Sequence, residues 1–161
     1  MMTNDEVVRQ QLINLLRGGN AHLNFERAVS QFPIDYINRK ASPISYSPWE
    51  LVEHMRICQW DILEFIRNPE YKSPSWPKGY WPAKGESADE NKRNKTLGNF
   101  RADLSSVENL LGDSSTNLYQ PIPHSPEYNT FREILLIADH NAYHLGELVV
   151  LRKALSIWPY S

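Results

Sequence analysis

Four stretches of this chain repeat apolar residues every three or four positions, the period of one helix face. The first, Asn4 to Arg17, sets Val8, Leu12, Leu15 and Leu16 on one side and is stopped by Gly18-Gly19-Asn20. The second, Pro48 to Arg67, carries Leu51, His54, Met55, Cys58, Ile62 and Phe65. The third, Ala88 to Leu111, is polar in its first half and then shows Leu97, Phe100, Leu104, Val107 and Leu111. The fourth, Phe131 to Leu155, carries Ile134, Ile137, Asn141, His144, Leu148 and Leu151. A shorter helical piece is expected over 24–32, stopped by Pro33.

Each long stretch opens with Ser or Thr followed three residues later by Glu: Thr3 and Glu6, Ser47 and Glu50, Ser87 and Glu90, Thr130 and Glu133. This is the capping box, in which a hydroxyl and a carboxylate satisfy free amides at a helix start. Pro48 follows Ser47 at the first helical position, where proline is tolerated. No stretch alternates as a strand would, and there is no repeat. The expected fold is an all-α four-helix bundle, one domain over residues 1–161.

Two connections are long for helix–helix links, 69–86 and 112–129. The first holds Tyr71, Trp76, Tyr80 and Trp81 among prolines; the second holds Tyr119, His124 and Tyr128. Either has the reach to cross a bundle about 30 Å long, so the connectivity need not be up-down-up-down. Prolines stiffen the aromatic connection. It reads either as a cap over the core or as a wall for a substrate site.

Composition narrows the partners. A formal net charge of −2 disfavours an electrostatic nucleic-acid binder. The cluster Lys92, Arg93, Lys95 is flanked by Asp89 and Glu90 and reads as a solvated helix face. The single cysteine, Cys58, has no internal disulfide partner. With no signal peptide or membrane span evident, a cytoplasmic protein acting on a small molecule is expected.

The candidate chemistry lies in His140 and His144, one helical turn apart. Residues at i and i+4 share a face about 5–6 Å apart, which lets two imidazoles bind one ion. The same spacing fits two unrelated polar side chains, but burying imidazoles without partners is costly. His54 reads alone as a core histidine; beside the pair it is the third ligand. Helices pack 8–10 Å apart, so rings from two of them can meet at one ion. Three histidines without a fourth protein ligand make an open site of the kind catalytic zinc uses.

The segment Ser47-Pro48-Trp49-Glu50-Leu51-Val52-Glu53-His54-Met55-Arg56, with Trp60-Asp61-Ile62-Leu63, resembles the second helix of DinB-like putative metalloenzymes. Asp139-His140-Asn141-Ala142-Tyr143-His144-Leu145-Gly146-Glu147-Leu148 resembles that family's fourth helix. The resemblance spans most of the chain. It implies a metal site at His54, His140 and His144, holding zinc or nickel, or else manganese or iron. It also implies a homodimer and chemistry like that of thiol transferases or thiol-dependent isomerases, with a low-molecular-weight thiol as co-substrate. Hydrolysis stays open, as does a non-catalytic bundle whose histidine triad is structural. Asn141 stands where the metalloprotease helix motif needs its glutamate base, which disfavours proteolysis.

Several neighbours carry lesser expectations. Glu147 is a partner behind the metal site or a surface residue; related sequences often carry Gln there. Cys58 is a small buried hydrophobe or a thiolate ligand. Asp61, ahead of Glu50, is the better candidate to orient an imidazole through its second nitrogen. His124 is expected in a surface or lid role. Asp139 and Asn141 have no assigned role.

Overall fold

A computed structural model describes residues 2–160. The helices are α1 (Asn4–Arg17), α2 (Phe25–Val29), α3 (Pro48–Arg67), α4 (Glu90–Gly112) and α5 (Thr130–Ala154). The four long ones match the expected bounds to within two residues, and α2 is the short piece. The structure is mostly helical, an all-α fold.

Two of the four capping boxes form, at Thr3/Glu6 and Ser47/Glu50. The other two give way to nearby Asp and Asn. Asp89 rather than Ser87 caps α4, accepting from the Lys92 amide, and Asn129 rather than Thr130 caps α5, accepting from Arg132. Asp and Asn equal or exceed Ser and Thr at this position, so a residue one or two places away can take the cap. A small hairpin, β1 (Pro121–Ile122) with β2 (Ser125–Asn129), occupies a connection expected to hold no strand. Strands this short show no readable alternation. The His124 ring Nε2 lies 2.9 Å from the Phe65 carbonyl, tying this hairpin to the end of α3.

The core shows how the helices run. One apolar cluster joins Leu12 and Leu16 of α1 to Ile62 and Leu63 of α3, Val107 and Leu111 of α4, and Ile134 and Ile137 of α5. A second joins Phe25 and Ala28 of α2 to Leu51 and Met55 of α3, Leu97 and Phe100 of α4, and Leu145 and Leu148 of α5. The early residues of α3 and α4 thus meet in one cluster and their late residues in the other, so these helices are parallel. Helix α5 runs against both. The 69–86 connection therefore returns along the whole of α3, while 112–129 stays at one end.

Leu15, expected inside, is 49% exposed. Arg9 takes an interior place instead, donating to the carbonyls of Leu111, Asp113 and Thr116 at the end of α4. Those carbonyls lie where a helix runs out of partners. Among the described residues, no helix is long and apolar enough to cross a membrane.

The caps give a direct test. Ser47→Ala and Asp89→Ala should each lower unfolding free energy by about 1 kcal/mol. Ser87→Ala should change it by under about 0.5 kcal/mol. Urea denaturation of the three variants reads the difference.

Candidate metal centre

The three histidines expected to act together do meet. His54, in α3, is 3% exposed. Its Nε2 lies 3.2 Å from His144 Nε2 and 3.3 Å from His140 Nε2. The other ring nitrogens decide what those contacts are. His54 Nδ1 lies 2.8 Å from the Tyr80 carbonyl oxygen, which can only accept, so Nδ1 carries the proton. His144 Nδ1 likewise donates to Glu147 Oε2 at 2.5 Å. In the neutral rings, both Nε2 atoms then present lone pairs to each other across 3.2 Å. Two acceptors at that distance repel unless a cation lies between them.

Protonation is disfavoured at two of the three. Burial, then the neighbouring His144 and His54, push His140 down to about 3. Burial also lowers His54, opposed by the Tyr80 carbonyl. A tetrahedral ion with nitrogen ligands at about 2.0–2.1 Å sets its ligands about 3.3–3.4 Å apart. The two separations, 3.2 and 3.3 Å, lie close to that edge, a spacing that suits a small divalent ion.

Cys58 completes the group. One ligand atom from each of His54, Cys58 and His140 lies within 4.8 Å of the others, and this group can hold a metal ion. Cys58 Sγ is 3.5 Å from His54 Nδ1 and 3.8 Å from Nε2. Burial, with Asp61 nearby, pushes its thiol up to about 12. Its burial fits the expected small buried residue, and its place in this group allows the expected ligand role.

The aromatic connection reaches this centre as it returns along α3. Tyr71 and Tyr80 hydroxyls donate to the two oxygens of Asp61, at 3.0 and 2.8 Å. Burial and the Asp61 contact push both phenols up, Tyr80 to about 12. Trp81 stacks on the His54 ring, centroids 4.1 Å apart and planes 4° from parallel. A cavity of about 610 Å³ opens above the histidines, walled by Trp76, Tyr80, Trp81, Leu136 and Tyr143. The connection is thus a wall of the site as well as a cover for the core.

Some expected roles move. Asp61 orients no imidazole; it anchors the two tyrosines, and the Tyr80 main chain holds His54 instead. A carbonyl has no side-chain signature, so no residue type marked it. Glu147 is the partner behind His144. Glu50 stays a capping residue, 3.0 Å from Lys40. His124 lies at the hairpin, outside this cavity. Asn141 turns into the core and donates to Gln59 Oε1 at 2.9 Å, while Gln59 donates to the Phe100 carbonyl at 2.8 Å. This polar chain clamps α5, α3 and α4 behind the site. Asp139 lines the cavity. In the basic cluster, Lys92 pairs with Glu86 and Arg93 donates to the Val29 carbonyl at 3.2 Å.

Comparison with family models, curated proteins and solved structures yields no match for this chain.

The depressed histidines set a pH dependence. Between 6.5, the ordinary value, and about 3, the unfolded chain binds a proton at this position that folded His140 does not. Stability of the metal-free protein should therefore fall as pH drops through that window. His140→Leu should flatten the fall, as read by urea midpoints from about pH 7 to about pH 5.

Proposed function

We propose that this chain is a DinB-like four-helix metalloenzyme that presents a thiol or water nucleophile to a small-molecule electrophile at a His54–His140–His144 centre. The observation that carries this reading is the convergence of three Nε2 atoms at 3.2 and 3.3 Å beneath an open cavity. The resemblance of 47–56 and 139–148 to the family's metal-bearing helices supports the same assignment.

A divalent ion bound there supplies Lewis acidity, which brings the pKa of a thiol or water toward neutrality. The chain's own residues supply orientation and shelter. The Tyr80 carbonyl and Glu147 fix two tautomers, so the free lone pairs of His54 and His144 face inward. Trp81 covers one face of the His54 ring and keeps water from it. The cavity, of a size usual for small-molecule sites, receives the non-reacting part of a substrate. The position where the metalloprotease helix motif carries its glutamate base is Asn141, which faces Gln59 in the core.

Cys58 favours one alternative. Its sulfur, 3.8 Å from His54 Nε2, stands near where a fourth tetrahedral donor belongs. A four-ligand site is closed, the form of structural zinc. Under that reading the bundle binds metal without turnover.

Elemental analysis of tag-free protein tests the centre. Wild type should carry about one divalent ion per chain. His54→Ala and His144→Ala should carry none while retaining helical circular dichroism. Full metal content in either variant would refute the ligand assignment. Cys58→Ser separates the two readings: retained metal supports the open three-histidine site, and lost metal supports the closed one. Glu147→Gln should weaken metal affinity by roughly 10–100-fold, measured by competition with a chelating dye.

A further inference from the structure

The cavity above the histidines is graded from floor to mouth. At the floor, His54 is 3% and Cys58 6% exposed; at the mouth, Trp76 is 75% and Tyr143 65% exposed. Its walls are indole, phenol and aliphatic carbon. None of the lining residues is Lys or Arg, although the chain carries 17 of them. By contrast, the polar pocket beside Trp49 carries Arg56, Lys92 and Lys95 together with Glu53 and Glu86.

The charge that does line the aromatic cavity is negative. Asp61 has both oxygens engaged by tyrosine hydroxyls. Asp139 is exposed, and among the described residues no basic side chain pairs with it. A free carboxylate among exposed aromatic faces suits a cation. Ammonium groups are drawn both to the negative face of an aromatic ring and to the carboxylate. At the mouth an anionic ligand would meet these same groups with no Lys or Arg to offset them.

We propose that this cavity binds small organic amines with an apolar body, the ammonium held at the mouth by Asp139, Trp76 and Tyr143. The body lies against Leu136 and Trp81, and the far end of the molecule faces the histidines. This deepens the proposed function by naming its substrate class. It rests on that reading's choice of cavity and not on metal occupancy.

Three probes of matched shape test it: phenethylamine, 2-phenylethanol and phenylacetate. They are titrated calorimetrically near neutral pH into the full chain, freed of metal by chelation so that phenylacetate has no ion to bind. Phenethylamine should bind about tenfold more tightly than phenylacetate. Asp139→Asn, at an exposed position, should weaken phenethylamine several-fold and leave 2-phenylethanol unchanged. Trp76→Ala should weaken both. Phenylacetate binding as tightly as the amine would overturn the proposal. So would unchanged amine affinity in Asp139→Asn, or no saturable binding of any probe. A chain that takes up no zinc yet keeps the amine preference supports this inference while refuting the metal centre, so the two failures are distinguishable.

Discussion

The hydrogen bond from His54 Nδ1 to the Tyr80 carbonyl ties the candidate centre to the path of the chain. A buried imidazole must place its N–H somewhere, and the position of that N–H decides where its lone pair points. Here the acceptor belongs to the connection returning along α3, so His54 is aimed at α5 only when that connection is in place. The same segment brings Trp81 onto the ring face and the Tyr80 hydroxyl onto Asp61. Ligand orientation, shelter and the cavity wall thus share one set of contacts. The connection has this path because α3 and α4 are parallel, which obliges the chain to travel back between them.

Most polar groups in the core find partners, although Arg152 Nε and Asn141 Oδ1 are buried without one. Arg152 is fully buried, and its guanidinium donates to carbonyls of Ala28, Ser30, Gln31 and Ile157. These lie at the end of α2 and in the C-terminal segment, where the chain leaves its helices. Gln31 and Ser156, with φ of 48° and 59°, stand in the left-handed region nearby. That conformation costs a non-glycine residue roughly 1 kcal/mol. Charge-assisted bonds from one side chain to both segments offset it. Arg9 does the same for the end of α4, and the Asn141–Gln59 pair spans the three central helices. The apolar clusters hold the helices together; these few polar links tie down their ends.

Much of this could be read along the chain. The helix bounds followed from apolar period and capping residues, because both are local: a face is set by spacing and a cap by one side chain. Where two capping residues competed, at Ser87 against Asp89 and Thr130 against Asn129, the local rule named the motif and the nearby Asp or Asn took the position. His140 and His144 were legible as a pair because one helical turn fixes their separation. Glu147 was legible as their neighbour for the same reason.

By itself, then, the sequence determined where the long helices lie, most of the face that each buries (Leu15, expected inside α1, is exposed), and that two imidazoles share one face of the last helix. It could not determine that α3 and α4 run parallel, because an apolar stripe packs equally well against a neighbour in either direction. That His54 meets the pair at 3.2 and 3.3 Å, that a tyrosine carbonyl aims it, and that Asp61 anchors a loop rather than a ring were decided only by the tertiary structure. These contacts join residues 10 to 90 positions apart, in different elements of the fold, beyond the reach of any local periodicity. A backbone carbonyl, moreover, is the same group whichever residue carries it.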